Sequence, residues 1–209
     1  MQLDNPPRKP FIARGSKIQR CEHCLLHTAG CICHARHQVV AKVQFCLLSH
    51  PYELYKPTNT GRLIVDTIAA SQVFHWSRTE PDSAFIKLIN DPAIDPYIVF
   101  PAAEDYQHRM VNFREKTGRQ PLFIILDGTW RQARRMFRLS QYLQHLPVIS
   151  LNTQRQSRYS LRKTEVSDQL CTVEVAAALL EQVGDQHAAD HLDSYFDLFN
   201  KNYAESRRF

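Results

Sequence analysis

No apolar run in this chain approaches the length a bilayer-crossing helix needs, about 20 residues, which excludes a helical span and a membrane partner of that kind. The first eleven residues lack the apolar core of a secretory signal, so the expectation is a cytoplasmic protein. Internal repeats are absent, which argues against a solenoid. Low-complexity tracts are absent too, and nothing in the composition asks for a largely disordered chain. Acidic residues are missing from two stretches, 131–139 and 151–164, although both are rich in cations. A solvated helix face normally mixes its signs. Those two gaps ask for an anionic partner, against the bland reading of faces that merely happen to be basic.

What is present suits a soluble globular protein. The chain has 209 residues, 44% hydrophobic and 22% charged, enough for one good core plus an appendage. The net charge of +5 and the pI near 8.9 are compatible with a polyanion, and the clustering of the cations says more than their total.

In a reducing compartment six cysteines are not expected to form disulfides. Four of the six are spaced Cys21-x2-Cys24-x6-Cys31-x-Cys33. Four thiolates fit tetrahedral zinc, and the first pair has knuckle spacing. The second pair is tight, and Gly30 would help the chain fold there. His23, His27, His34 and His37 stand close enough in sequence to replace a ligand. The bland reading is a loop of free thiols, against which stands the shortage of apolar residues to order so short a segment without metal. A closed structural zinc would fix the basic N-terminal arm (Arg8, Lys9, Arg14, Lys17, Arg20) in place. Residues 1–40 are read as this arm and zinc-binding segment, residues 41–209 as an α/β catalytic domain. Cys46 and Cys171 read as small buried hydrophobes.

Apolar runs at 43–50, 96–102, 120–127 and 146–152 predict strands. Helical spacing predicts helices over 63–76, with Thr60 as cap; after the turn at 127–130; over 172–184, with Thr172 as cap and Gly184 as stop; and over 192–203, with Leu192, Tyr195, Phe196 and Phe199 on one face. Near-continuous apolar strands alternating with helices make an α/β fold, a mostly parallel sheet with helices on both faces. Ligands of such sheets bind outside the carboxyl ends of the strands, and Asp127 stands at one of those ends.

The stretch Asp127-Gly128-Thr129-Trp130 is open to two readings. Asp127 can be a helix cap, bonded to the N–H of Thr129 or Trp130, or a reactive carboxylate on a rigid strand end. Trp130 shares a helical face with Ala133 and Phe137. Arg131, Arg134, Arg135 and Arg138 follow at i, i+3, i+4, i+7 and form one stripe. Crowded like charges cost stability unless an anion lies on them, and phosphates would suit. Arg155, Arg158, Arg162 and Lys163 add a second basic segment. Within it Tyr159 can stack on a splayed base or serve as packing.

The chain resembles the DTW-domain family. The likeness rests on Asp127-Gly128-Thr129-Trp130, the D-x-T-W signature, together with the Cys21, Cys24, Cys31, Cys33 knuckle. His50-Pro51-Tyr52-Glu53, Asn59-Thr60-Gly61-Arg62, Tyr159-Ser160-Leu161-Arg162-Lys163 and Thr172-Val173-Glu174 complete it, in order, over about residues 20–180. Bacterial members are tRNA-uridine aminocarboxypropyltransferases. The resemblance implies S-adenosylmethionine as donor and a uridine of the tRNA variable loop as acceptor, giving acp3U and methylthioadenosine. It implies a SPOUT-like fold with a knotted cofactor end. It places Asp127, Thr129 and Trp130 at the catalytic step, with Asp127 as base or as partner of the donor's amino group. The donor pocket would be built from Phe100, Pro101, Ala102, Asp127, Leu151, Leu170, Thr172 and Glu174. Glu174 reads equally as a first-turn residue favoured by the helix dipole. The donor's carboxylate would go to Arg62 or to backbone amides near Thr129. RNA would lie on Arg131, Arg134, Arg135, Arg138, Arg155, Arg158, Tyr159, Arg162 and Lys163. Ala102 departs from the family pattern, which often has serine after that proline. The rival readings are a SPOUT-type methyltransferase and a non-catalytic zinc-containing RNA-binding protein. Oligomeric state is not written in the sequence.

Overall fold

A computed structural model of the chain describes residues 19–159 and 170–206. Five strands form one sheet: β1 (Gln44–Ser49), β2 (Ser71–His75), β3 (Ile94–Val99), β4 (Gln120–Asp127) and β5 (Val148–Ile149), in the order β2-β1-β4-β3-β5. Every neighbouring pair is parallel. The central strands bury both faces, which is why they read as unbroken apolar runs. Phe45, Leu47, Phe123 and Ile125 point into one core. Cys46, Leu48, Ile124 and Leu126 point into the other.

The first core is roofed by α1 (Gly61–Thr67), α4 (Thr172–Gln182) and α5 (Gln186–Ser206). The second lies under α2 (Ser83–Ile89) and α3 (Trp130–Leu139). Helices thus cover both faces, as the sequence pattern requires. On α5 the expected stripe Leu192, Tyr195, Phe196, Phe199 is buried, and the helix begins earlier than its apolar spacing suggests, at Gln186. Against it packs the described part of the cysteine segment. Cys24, Leu26 and Ile32 are fully buried in the same core as Phe196 and Phe199.

Three expectations change. The helix predicted over 63–76 is two elements. It ends at Thr67, whose hydroxyl donates to the Leu63 carbonyl at 2.7 Å, and Ile68 turns extended. Residues 71–75 then pair with the open edge of β1. Only Phe74 of this edge strand is buried, so its apolar spacing happened to extend the helical period. The strand expected over 146–152 pairs for only two residues, and the chain beyond it becomes cavity wall. The cap of α4 is Cys171 rather than Thr172, which frees the threonine hydroxyl. Gly184, in the left-handed region at φ 73°, closes the helix as expected. Cys46 and Cys171 are buried. The connection from β5 to α4, on whose path the implied knot depends, includes residues 160–169, outside the described residues.

Candidate active site

Asp127 ends the central strand and is buried. Register places it opposite Ser49 of β1. The Ser49 hydroxyl donates to Oδ2 at 3.0 Å, the Asn59 side-chain amide to the same oxygen at 2.7 Å, and the Thr172 hydroxyl to Oδ1 at 2.8 Å. Asn59 is itself aimed: its Oδ1 accepts the N–H groups of Gly61 and Arg62, leaving the NH2 for the carboxylate. A Cβ on Gly61 would stand 3.2 Å from the Asp127 carboxyl carbon, so glycine lets the chain approach closely here. Three neutral donors therefore fix one buried carboxylate, from β1, from the segment before α1, and from α4.

Asp127 is not the helix cap. Thr129 caps α3, its hydroxyl accepting the Gln132 N–H at 3.3 Å while the Gln132 side chain accepts the Thr129 N–H at 2.7 Å. With the cap supplied two residues later, the aspartate is left to the site. Trp130 lies edge-on to Phe100, which stacks on Phe137 at 4.3 Å between centroids.

A cavity of about 620 Å³ opens at the carboxyl ends of β3, β4 and β5, within the size range of small-molecule sites. Phe100, Pro101, Ala102, Leu151, Leu170 and Thr172 line it, and Gly128, Trp130 and Ala133 form the wall toward α3. The structure so brings six of the eight expected donor-pocket residues together. Asp127 lies behind the wall, and Thr172 is the residue that both lines the cavity and touches it. Ala102 offers no hydroxyl to the cavity. Glu174 faces away: it accepts the Ser157 hydroxyl at 2.8 Å, the Arg158 N–H at 2.5 Å and the Cys171 N–H at 2.8 Å. That clamp ties the 151–159 segment to the start of α4, a structural task.

Arg62 is also structural. Its guanidinium donates to the carbonyls of Asn59, Leu54, Lys56 and His23, and burial pushes its pKa below the ordinary value. It is therefore not the cation waiting for a carboxylate.

The two basic segments part company. Arg131, Arg134, Arg135 and Arg138 are all exposed on α3, and among the described residues none of them has an ion-pair partner. Arg155 is instead locked to Glu181 at 2.6 Å and Asp193 at 2.7 Å, and Arg158 to Asp193 at 2.8 Å and Asp197 at 3.0 Å. Acids missing from the segment are supplied by α4 and α5. Tyr159 is buried and donates to the Thr58 carbonyl at 2.6 Å, so it packs rather than offering a face to a base. Arg162 and Lys163 lie outside the described residues, as do the arm residues before 19.

The four Sγ atoms of Cys21, Cys24, Cys31 and Cys33 all lie within 4.8 Å of one another. Cys21–Cys33 measures 3.6 Å and Cys24–Cys31 3.8 Å, close to the roughly 3.8 Å edge of a zinc–thiolate tetrahedron with bonds of about 2.3 Å. Backbone N–H groups of Cys24 and His23 pull the Cys21 thiol down to about 6. Burial pushes Cys24 and Cys33 up, which a divalent cation would reverse. The set fits zinc, and among the described residues no histidine joins it.

Sequence reasoning missed Ser49, Asn59 and the neighbour His50. The His50 ring meets the Gln132 side chain at 3.2 Å, and the His50 backbone N–H donates to the Asp127 carbonyl at 2.9 Å. Asn59 and His50 stand in recurring motifs, but nothing local says which carboxylate they serve. Compared with known families, residues 18–204 match the one described as DTW domain. No solved structure matches.

Proposed function

From the chain's membership of the DTW-domain family, the tRNA-uridine aminocarboxypropyltransferases, we propose that it transfers the 3-amino-3-carboxypropyl group of S-adenosylmethionine to N3 of a uridine in the tRNA variable loop. The products are acp3U and methylthioadenosine. One observation carries the reading. The same helix, α3, gives Trp130 and Ala133 to the wall of a small-molecule cavity and an unneutralised row of four arginines to the surface. A site for a compact donor thus adjoins a surface for a polyanion.

Bound there, the sulfonium supplies three carbons open to attack, and the protein selects one by orientation. Uracil N3 forms a bond to the aminocarboxypropyl carbon as the carbon–sulfur bond breaks, and sulfur leaves as the neutral thioether. The N3 proton must go to a base within reach. In this proposal Thr172 Oγ1 accepts it while passing its own hydrogen to Asp127 Oδ1. Ser49 and Asn59 hold the other carboxylate oxygen, so the acceptor atom stays aimed at Thr172. The donor's carboxylate meets backbone amides at the start of α3, around Gly128 and Trp130. Thr129 keeps that end of the helix in shape as its cap, and the Trp130 ring walls the donor. A closed four-thiolate zinc has no open position, so its task is to hold the N-terminal segment against α5.

The test is one incubation of protein, S-adenosylmethionine and unmodified tRNA, followed by nucleoside mass spectrometry. A uridine heavier by one aminocarboxypropyl group, with methylthioadenosine released, is the expected result. A methylated base with S-adenosylhomocysteine would replace the reaction by methyl transfer. Bound tRNA with no modified nucleoside would leave a zinc-containing RNA-binding protein.

A further inference from the structure

The Arg158 and Tyr159 segment, where the sequence allowed either a base-stacking or a packing ring, is closed by ion pairs and burial. Another part of the surface offers what it lacks. Tyr52 is 74% exposed and Tyr55 65%, in the turn that follows β1. Tyr52 does not stand alone. Its ring centroid is 5.5 Å from that of His50, tilted by 33°, and His50 in turn stacks on Trp76 at 5.9 Å and 22°. Trp76 is braced by its indole N–H on the Ser140 hydroxyl at the end of α3, at 2.8 Å. His50 is braced by Gln132 of the same helix at 3.2 Å. A row of three rings therefore runs beside α3, with its inner members pinned to that helix and its outer member open to solvent.

The position matters as much as the exposure. Arg135 is near enough to act electrostatically on His50, so the row borders the arginine face. The backbone of His50 is bonded to that of Asp127, and Ser49 to the Asp127 carboxylate. Tyr52 is thus three residues from a direct contact of the candidate catalytic aspartate. An RNA held by phosphates on Arg131, Arg134 and Arg135 would bring its bases past this ring. Every base has a face to stack, and a target uridine that reaches a buried carboxylate must be unpaired, as must the neighbour that would stack here.

We propose that Tyr52 is the stacking platform for an unpaired nucleobase of the RNA substrate adjoining the modified uridine, with His50 and Trp76 backing it. The proposal rests on the RNA reading above but not on the reaction. The probe is a fluorescein-labelled single-stranded oligouridylate, with affinity read by anisotropy at about 50 and about 200 mM salt. Tyr52→Ala should weaken binding roughly tenfold, by a similar factor at both salt concentrations, because stacking is not screened. Tyr52→Phe should bind as the parent does. Arg134→Glu should lose a factor that shrinks as salt rises. Tyr52 is exposed, so unchanged thermal unfolding of Tyr52→Ala certifies the fold. Equal affinity of Tyr52→Ala and parent overturns the platform, as does a loss that Phe shares with Ala. If transfer of the aminocarboxypropyl group fails yet Tyr52→Ala still weakens binding, the reaction falls and the platform stands. Normal transfer with unaltered Tyr52→Ala binding does the reverse.

Discussion

Thr172 donates its hydroxyl to Asp127 Oδ1 at 2.8 Å across the boundary between buried core and open cavity. The contact joins residues 45 apart in the chain. It exists because Cys171, not Thr172, caps α4. A threonine engaged in capping would have its hydroxyl turned to the helix backbone. Freed from that, it becomes the link between a carboxylate that does not line the cavity and the space where a substrate would sit.

Thr172→Val removes the hydroxyl at nearly constant shape. Turnover should fall on the order of a hundredfold, the usual worth of a positioned proton acceptor, with tRNA affinity unchanged. Thr172→Ser should recover most of it. Single-turnover rates together with tRNA binding isotherms separate the two effects. A Val variant that turns over as the parent does would remove Thr172 from the proton path.

Asp127→Asn keeps the size of the side chain but swaps one acceptor oxygen for an NH2. Ser49, Asn59 and Thr172 all donate to this group, so at least one buried donor then faces another. The expected cost is about 1–3 kcal/mol of stability, seen as a lowered Tm, along with loss of product. Asp127→Ala leaves the same donors unpaired and adds a cavity, and should melt lower still.

The central strands were legible because a strand buried on two faces must be apolar along its middle, as 45–48 and 121–126 are. The zinc set was legible because thiol spacing is local. What stayed hidden depended on distant contacts. β2 has one buried residue and owes its form to the edge of β1, so no local pattern distinguished it from helix. The neutralisation of Arg155 and Arg158 comes from Glu181 on α4 and from Asp193 and Asp197 on α5. The absence of acids within a segment said nothing about acids folded onto it. Asp127 was visible as a strand-end carboxylate, but its donors sit 45 to 78 positions away.

This division of the cations separates two outcomes that total charge would merge. Arg134→Glu should weaken tRNA binding on the order of tenfold at low salt, reduce the dependence of affinity on salt by about one phosphate contact, and leave Tm nearly unchanged. Arg155→Ala should do the opposite. It strips Glu181 and Asp193 of their shared guanidinium, lowers Tm, and changes the salt dependence of tRNA binding little. Filter binding across a salt series, beside thermal melts, checks both.

His50 gives a pH prediction. Burial lowers its pKa from the ordinary value near 6.5, against the raising effect of Glu53. The native state therefore binds this proton less readily than the unfolded chain, and the unfolded state holds more protons as pH falls through about 6.5. Stability contributed by a neutral His50 is full above that pH and declines below it. His50→Asn should flatten the acid limb of a Tm-against-pH curve below about pH 6.5. An acid limb identical in both proteins would assign the titration elsewhere.

The metal prediction separates a structural ion from a catalytic one. Cys24, Leu26 and Ile32 are buried against α5 together with Phe196 and Phe199, so the four thiols anchor one end of the first core. Zinc measured by plasma mass spectrometry should be near one per chain, and Cys33→Ser should lower it. Loss of the metal should cost on the order of 4 kcal/mol, as for other structural cross-links, and increase hydrogen exchange in the second half of α5 before that of β4. The arginine face of α3 lies on the opposite side of the sheet. At temperatures where the metal-free protein is still folded, its tRNA affinity should therefore stay within a few fold of the parent. A closed tetrahedron of thiolates presents no site for substrate, so transfer should survive there as well. Complete loss of transfer with the fold and tRNA binding intact would instead put the metal at the reacting centre.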